Sequence, residues 1–332
     1  MRLLVTGGAG FIGSNFVRYV LSKHPSYQVV VLDKLTYAGN LANLLDVSDR
    51  PNYRFVKGDI GDAKLVDELV PEVDAIVNFA AETHVDRSIM DAGSFIQTDV
   101  HGTFVLLEAA KKHNTKRFLQ VSTDEVYGDV PVGSSLESDA FRPRSPYSAS
   151  KAGGEMMVQA YHVTYGLPTL ITRGSNNYGP FQYPEKLIPV LITNALDGQK
   201  LPVYGDGQQI RDWLYVLDHC SAIDLVLQEG AVGEAYNVGG GNERHNLEIV
   251  HQVLQLLEKP KSLIQFVKDR PGHDRRYSVD CSKLRALGWE PARNFEEGLA
   301  ETVRWYVEHE GWWRPLKSGE YMDYYKKNYA GR

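Results

Sequence analysis

The chain has 332 residues, of which 43% are hydrophobic and 23% are charged. This composition excludes a disordered tail, a collagen-like fibre and a coiled coil. With 36 basic against 42 acidic side chains the formal charge is −6, so we expect neither a nucleic-acid partner nor a polybasic contact with a membrane.

The cysteines and the first residues bear on the compartment. Cys220 and Cys281 are the two cysteines of the chain. Two are too few for a disulfide framework or a metal-ligand cluster, and they are typical of a reducing compartment. The apolar run at residues 3–5 is too short for a signal peptide, and no apolar run approaches the ~18 residues that span a bilayer. We therefore predict a cytoplasmic protein.

The first half of the chain alternates short β-branched runs with longer helical patterns. Strands are predicted at residues 3–6, 29–32, 54–56, 75–79, 118–122 and 169–172. Helices are predicted between them, at residues 11–22, 63–70, 95–113 and 148–164. Strands that alternate with helices predict βαβ units and a parallel sheet.

After Asn177 prolines and glycines crowd residues 180–207 and indicate loops and small elements. Residues 244–257 and 295–308 still have a helical pattern. The predicted fold class is α/β: a Rossmann-type doubly wound parallel sheet with a smaller, mixed α/β substrate-binding cap domain. We assign residues 1–178 to the sheet domain, with returns near 221–245 and 296–310, and residues 179–220, 246–295 and 311–332 to the cap.

The first motif follows the first predicted strand. Gly8, Gly10 and Gly13 match G-x-G-x-x-G, and Gly7 adds the variant G-x-x-G-x-x-G. Such glycines allow a tight turn, a close approach of pyrophosphate and helix-on-strand packing. Asp33 lies 20 residues after Gly13, at the spacing of a carboxylate that binds a ribose. The alternative is a glycine-rich turn without a ligand.

Two further residue pairs refine the cofactor prediction. Asp33 would repel a 2′-phosphate, which favours NAD over NADP, although Lys34 beside it weakens that inference. Asp59 and Ile60 follow the third strand and are candidates for contact with the adenine. Their alternative role is to cap the next helix.

The second motif places Tyr147 and Lys151 one turn apart on a predicted helix, which Pro146 suits as a first position. A phenol is a poor base at neutral pH. A nearby ammonium, helped by a positive nicotinamide ring, lowers the phenol pKa, so that Tyr147 can take a proton while a hydride leaves the same carbon. The alternative is a solvated helix face.

The third motif is an acid pair. The predicted strand at residues 118–122 is followed by Thr123, Asp124 and Glu125, and ligands bind at the carboxyl ends of strands in such sheets. Alcohol oxidation needs no carboxylate pair, whereas an acid and a base together can move a carbon-bound proton and a leaving hydroxyl. The pair therefore indicates elimination of water besides hydride transfer. The alternative is an exposed turn with two solvated acids.

Together these residues resemble the extended short-chain dehydrogenase/reductase family, and within it the nucleotide-sugar 4,6-dehydratases. The resemblance covers nearly the whole chain, through residues 6–13, 80–88, 122–128, 147–151, 176–180, 184–189, 205–207, 211–213, 269–277 and 312–313. The Thr123–Glu125 triplet is its most specific part. One departure is Asp99, where the family usually has Asn.

The resemblance implies an internal redox cycle on a nucleoside diphosphate glucose. The C4 hydride passes to NAD and returns at C6, Tyr147 takes the C4 hydroxyl proton, Glu125 removes the C5 proton and Asp124 protonates the leaving C6 hydroxyl. Thr123 would hydrogen-bond the C4 oxygen. The implied NAD-binding residues are Gly7, Gly10, Phe11, Ile12, Gly13, Asp33, Lys34, Thr36, Asp59, Ile60, Ala80, Ala81, Thr98, Tyr147, Lys151 and Asn177.

A nucleotide sugar needs donors for its phosphates, and arginine offers a planar fork that suits them. Arg211 and Arg270 are the candidates, and their alternative is a surface position. The full set of expected substrate-binding residues is Thr83, Thr123, Asn176, Lys186, Leu187, Pro202, Tyr204, Arg211, Asn246, Arg270 and His273.

Three other functions remain open. A 4-epimerase needs the glycine loop, Asp33, Tyr147 and Lys151 but not the acid pair. A UDP-glucose 4,6-dehydratase shares that pair, so that the preference for dTDP-glucose rests on resemblance alone. A non-catalytic dinucleotide-binding protein commonly lacks the tyrosine or the lysine. The resemblance also implies a homodimer, formed through the helices at residues 95–113 and 148–164.

Overall fold

The computed structural model describes residues 1–329. Its strands are β1 (Arg2–Thr6), β2 (Gln28–Asp33), β3 (Tyr53–Lys57), β4 (Ala75–Asn78), β5 (Arg117–Thr123), β6 (Thr169–Gly174), β7 (Asn176–Tyr178), β8 (Leu201–Tyr204), β9 (Ile210–Tyr215), β10 (Ala235–Val238), β11 (Glu243–His245) and β12 (Ile264–Val267). Its α-helices are α1 (Phe11–Lys23), α2 (Ala63–Leu69), α3 (Val85–Met90), α4 (Ala92–Phe95), α5 (Thr103–Lys112), α6 (Pro146–Tyr165), α7 (Leu187–Leu196), α8 (Val216–Glu229), α9 (Asn246–Leu256), α10 (Ser282–Arg285), α11 (Phe295–Glu308), α12 (Glu310–Leu316) and α13 (Glu320–Tyr329).

Within the described residues, the largest sheet is parallel, in the order β10-β6-β5-β4-β1-β2-β3. The predicted doubly wound parallel sheet is confirmed. The strand order reverses between β1 and β4, and a doubly wound sheet binds its ligand at the carboxyl ends of the strands beside such a switch point. Two smaller sheets, β11-β9-β7 and β12-β8, belong to the cap side of the molecule.

Buried side chains form a layer on each face of the large sheet, which suits parallel strands. One layer includes residues of α1 and α8, and the other includes residues of α2, α5 and α6. A third cluster joins α7, α9 and α11 around Trp213 and Trp313. The cap therefore has a hydrophobic core of its own.

The domain division differs from the prediction at the C-terminal end. Residues 296–310 were expected to return to the sheet domain, but Phe295, Leu299 and Tyr306 pack in the third cluster, because the apolar face of α11 lies against α7 and α9. Conversely, Leu284 and Trp289 pack beneath the large sheet rather than in the cap.

Two predicted helices also differ from the structure. The helix expected at residues 95–113 is interrupted by a π-helical turn at Ile96–Gly102, a feature frequent at functional sites. Arg244, expected in a helix, lies in β11, and the helix begins only at Asn246. None of the helices described for residues 1–329 is long and apolar enough to cross a bilayer.

Candidate active site

The first of two adjoining clefts opens at the switch point, where the loops after β1 and β4 meet. All but one of the residues expected to bind NAD line it. The exception is Asn177, whose Oδ1 lies 3.0 Å from His219 Nδ1 and whose Nδ2 donates to the Ser175 carbonyl. Its half-buried side chain is thus bonded to Ser175 and lies beside His219 instead of lining the cleft.

The glycine loop forms a cradle that side chains would fill. Gly7 has a φ of +66°, and a Cβ there would lie 2.6 Å from the Ala80 backbone nitrogen. A Cβ on Gly13 would lie 2.3 Å from the Gly7 carbonyl oxygen. Glycine is therefore required at both positions. The free N–H groups at the start of α1 then face the space that a pyrophosphate needs, so that the loop fits a dinucleotide.

Asp33 lies at the end of β2, where its carboxylate accepts hydrogen bonds from Ala9 N at 2.9 Å and Leu35 N at 2.8 Å. These bonds attach the β2 turn to the glycine loop and hold the carboxylate at the cleft. Nearby, Lys34 pairs with Asp59 at 2.7 Å. Asp62, rather than Asp59, caps α2, which leaves Asp59 at the cleft wall.

Local sequence positions Tyr147 and Lys151. Ser145 caps α6 by accepting from Ser148 N at 3.0 Å, and Ser148 Oγ in turn accepts from Ser145 N at 3.0 Å. Tyr147 lines both clefts, whereas Lys151 lines the first and donates from Nζ to the Val121 carbonyl at 2.9 Å. The pair therefore lies at the junction of the clefts.

The electrostatics of this pair differ from the expectation. The sequence predicts that Lys151, helped by a nicotinamide ring, lowers the pKa of Tyr147. In the protein chain burial raises the pKa of Tyr147 well above its ordinary value, and the carboxylates of Glu125 and Asp99 raise it further. Burial also lowers the pKa of Lys151. The site without its ligands thus disfavours the phenolate.

The acid pair begins the 3₁₀ turn Asp124–Tyr127 directly after β5. Thr123 Oγ1 accepts from Glu125 N at 3.3 Å and bonds Asp124 Oδ1 at 3.2 Å. Asp124 is 3% exposed, which argues against the alternative of an exposed turn with two solvated acids. Glu125 lines the second cleft, whereas Thr123 and Asp124 line neither cleft.

Burial raises the pKa of both acids, but their neighbours differ. Glu125 raises the pKa of Asp124 further, to well above its ordinary value. Arg270, Arg211 and Lys186 all oppose the rise at Glu125. Of two coupled carboxylates, the one nearer cations ionises first. The geometry therefore favours a protonated Asp124 beside an ionised Glu125.

The second cleft lies between the large sheet and the cap. Nine of the expected substrate residues line it: Asn176, Lys186, Leu187, Pro202, Tyr204, Arg211, Asn246, Arg270 and His273. Thr83 instead lines the first cleft, where its Oγ1 accepts from Lys186 Nζ at 3.0 Å.

This second cleft has the polar features of an anion site. Arg211 is 4% exposed, donates to the Asp274 carbonyl at 2.9 Å and lies 4.2 Å from the centre of the Tyr277 ring. Burial lowers the pKa of His273 to about 3, so that this ring is neutral at pH 7. Within residues 1–329 five buried polar atoms of the residues that line this cleft have no hydrogen-bond partner: Asn176 Oδ1, Glu185 Oε1, Trp213 Nε1, Asn246 Oδ1 and Arg270 Nε. Unsatisfied buried groups of this kind are available to bind a ligand.

Sequence reasoning missed two residues of the site. Glu185 lines both clefts and pairs with Arg87 at 2.8 Å. Tyr277 lines the second cleft, with its phenol 2.7 Å from Asp274 Oδ2 and 3.4 Å from Glu125 Oε2. Both lie inside stretches that carry the family resemblance, residues 184–189 and 269–277, and this position is the sequence signal that could have identified them.

Comparison with known proteins also indicates a nucleotide-sugar 4,6-dehydratase. Residues 4–302 match the family model described as GDP-mannose 4,6 dehydratase. The dTDP-glucose 4,6-dehydratase of Streptomyces niveus is 54% identical, over 96% of this chain and 96% of its own. The crystal structure of DesIV, a dTDP-glucose 4,6-dehydratase from Streptomyces venezuelae with NAD bound, matches with a TM-score of 0.94 at 54% identity, over 96% of this chain and 100% of that one.

A UDP-glucuronic acid 4-epimerase from Bacillus cereus shares the fold with a TM-score of 0.88, over 93% of this chain and 99% of that one, but at 29% identity. The epimerase alternative is thus the weaker match, and the buried acid pair also disfavours it. The chain therefore belongs to the dTDP-glucose 4,6-dehydratase family, NAD-dependent hydro-lyases of the extended short-chain dehydrogenase/reductases.

Proposed function

We propose that this chain converts dTDP-glucose into a 4-keto-6-deoxy sugar nucleotide with three reacting side chains. Tyr147 takes the proton of the C4 hydroxyl, Glu125 removes the C5 proton and Asp124 gives a proton to the C6 hydroxyl as it leaves. The observation that carries this proposal is the buried acid pair at the end of β5. Redox at C4 alone requires no such pair.

The proposed protonation states follow from the surroundings of each group. Glu125 acts as a base because Lys186, Arg211 and Arg270 stabilise its charge. Asp124 keeps its proton because it is buried beside Glu125. Thr123 is a positioning residue, since its hydroxyl bonds Asp124 Oδ1 and accepts from Glu125 N. Bound NAD supplies the hydride acceptor at C4 and the hydride donor at C6.

The substrate is held by groups that converge from separate segments of the cap. Arg270 and Arg211 are the proposed ligands of the diphosphate, since a guanidinium matches phosphate oxygens. Asn176 and Leu187 would contact the sugar, and Tyr204 would contact the base. The choice of thymine follows the similar proteins, which are dTDP-glucose 4,6-dehydratases.

The test is to incubate the purified protein with dTDP-glucose, with UDP-glucose in a parallel tube. We expect loss of one water from dTDP-glucose by mass spectrometry, no net accumulation of NADH by absorbance, and a slower reaction with UDP-glucose. An unchanged mass together with conversion to the C4 epimer would contradict the dehydratase proposal and favour the epimerase.

We further propose a homodimer formed by α6 and the neighbouring segment from Ile96 to α5. Large apolar side chains are exposed there, with Phe104 38%, Ile96 55%, Met156 59% and Val163 83% exposed. A patch of this kind marks an interaction surface. We place the protein in the cytoplasm, since both cysteines are free and buried.

The dimer prediction is tested by a paired substitution. M156K with V163K is expected to convert a species of twice 37.3 kDa into a monomer in light scattering, because two ammonium groups cannot be buried across an interface. The control is L45K, at a residue 68% exposed outside this patch, which should leave the mass unchanged. A monomeric parent protein would refute the proposal.

A further inference from the structure

Arg87 lies between two aromatic rings that come from different parts of the chain. Its guanidinium carbon lies 3.5 Å from the centre of the Tyr37 ring and 4.4 Å from the centre of the Tyr324 ring. Its Nε donates to Glu185 Oε2 at 2.8 Å, and the Glu185 side chain is fully buried. A planar guanidinium can stack on aromatic faces and form an ion pair at the same time. Arg87, on α3, thus contacts three segments that are far apart in sequence.

Tyr37 lies in a loop that lines the first cleft. This loop follows β2 and comprises residues 34–39, which we call the cofactor loop. Thr36 and Ala38, on either side of Tyr37, line the first cleft. The Tyr37 phenol donates to the carbonyl of Thr83 at 2.8 Å, and Thr83 lines the same cleft. A movement of the cofactor loop therefore also displaces the Tyr37 ring.

Tyr324 lies on α13, the helix beside the second cleft. Tyr324 and Asn328 are one turn apart and are both buried. The Tyr324 hydroxyl lies 3.1 Å from His84 Nδ1. Asn328 Nδ2 donates to the Tyr204 hydroxyl at 2.8 Å. His84 and Tyr204 line the second cleft, as does Tyr329 at the end of α13, so that the docked helix forms part of the wall of this cleft.

Helix α13 depends on its docking contacts because it is short. It has 10 residues, fewer than the roughly 12–15 that an isolated helix needs in water. The Arg87 side chain is 16% exposed, and a cation–π contact that is largely desolvated can change the ratio of docked to released helix about tenfold. Docked and released α13 are therefore two states between which Arg87 can shift the balance.

We propose that Arg87 is a positioning residue that joins the two clefts. Held between Tyr37 and Tyr324, its guanidinium makes the docking of α13 depend on the position of the cofactor loop, and the reverse follows from linkage. A sugar nucleotide that contacts docked α13 thereby also stabilises the cofactor loop at the NAD cleft. This retains the cofactor while the hydride leaves C4 and returns at C6. The inference rests on the assignment of the second cleft to the sugar nucleotide, proposed above.

The first test measures amide hydrogen exchange into residues 320–329 of the holoenzyme by mass spectrometry. R87K keeps a cation that can pair with Glu185 but loses the planar guanidinium, and Y324L removes the ring on α13. Each should make α13 exchange about tenfold faster, because the helix is released more often. Y324F keeps the ring over Arg87 and should exchange more slowly than Y324L.

A double-mutant cycle shows whether these effects pass through the same contact. In the Y324L background R87K has no ring on α13 to lose, so that it should add little. Y37L should also speed the exchange of α13 in the parent, and should add little in the Y324L background. The control is Y325F, which removes a hydroxyl on the same helix that accepts from Asn194 Nδ2 at 3.1 Å. Its effect should multiply with that of R87K, because the two contacts are separate.

The second test measures how fast bound NAD leaves the holoenzyme, by exchange with isotope-labelled NAD, with and without saturating dTDP. In the parent dTDP should slow the release of NAD about tenfold, within the usual range of coupling between two sites. R87K and Y324L should lose most of this effect, because α13 and the cofactor loop are no longer joined. Y325F should keep it.

Three outcomes would overturn the inference. Exchange rates of α13 that multiply when R87K and Y324L are combined would show that the two residues act separately. Unchanged exchange of α13 in Y37L would show that the cofactor loop has no influence on the helix. Equal slowing of NAD release by dTDP in the parent and in R87K would show that the coupling bypasses Arg87. Because exchange into α13 needs no substrate, it distinguishes failure of this inference from failure of the proposed reaction.

Discussion

Tyr147→Phe is expected to lower kcat by about 10²–10⁴-fold, the range that a positioned acid or base contributes. The substitution removes one oxygen at the junction of the two clefts and leaves their walls in place. Binding of NAD and of the sugar nucleotide should therefore change little, so that KM stays within a few-fold. Steady-state rates with dTDP-glucose, together with NAD affinity measured by calorimetry, check both parts.

The matched control is Tyr161→Phe, the same chemical change on the same helix. Tyr161 bonds Glu108 and lines neither cleft, so that its loss should leave kcat nearly unchanged. If Y147F kept more than about a tenth of the parental rate, another group would have to take the C4 proton and the role proposed for Tyr147 would be wrong.

Asp124→Asn and Glu125→Gln should each lower kcat by about 10²–10⁴-fold, but they should stop the reaction at different stages. Without Glu125 nothing removes the C5 proton, so that substrate recovered from heavy water should contain no deuterium at C5. Without Asp124 the C5 proton can still exchange, while the C6 hydroxyl is not protonated and stays. Mass spectrometry of substrate recovered from heavy water separates the two stages.

The pH dependence of the parent enzyme follows from the same pair. Its rate should fall as the pH drops through the raised pKa of Glu125, because the base becomes protonated. It should also fall as the pH rises through the raised pKa of Asp124, because the acid loses its proton. E125Q should lose the acid limb, and D124N should lose the basic limb.

A control for these variants is Asp139→Asn. Asp139 is an exposed carboxylate that bonds Leu136 N and lines neither cleft, so that its rate and exchange pattern should equal those of the parent. Equal deuterium incorporation in D124N and E125Q would contradict the division of roles between the two acids.

Many residues of the cofactor cleft could be predicted from local sequence. The glycine loop, Asp33 and the pair Tyr147 and Lys151 depend on spacings within one strand, turn or helix. Each such spacing is set by backbone geometry over a few residues. The alternation of strands and helices is equally local, and for that reason the parallel sheet was predictable.

Recognition of the acid pair also came from sequence, but its charge states did not. The expectation that the pKa of Tyr147 is lowered considered Lys151 and the nicotinamide ring of the cofactor. In the protein chain alone, burial and the carboxylates of Glu125 and Asp99 raise the pKa of the same phenol. A pKa depends on every charge within several ångströms and on the loss of water, and neither can be read from spacing along the chain.

The sequence by itself determined the fold class, the dinucleotide loop and the acid pair, since each depends on short-range periodicity or on a contiguous motif. The tertiary structure alone decided which distant segments meet. It brings Lys186, Arg211 and Arg270 into one cleft, turns Asn177 away towards His219, and packs α11 in the cap. These contacts depend on the long-range packing of apolar helix faces and on the order of strands in the sheet. Neither can be read from the local sequence around residues that are far apart in the chain.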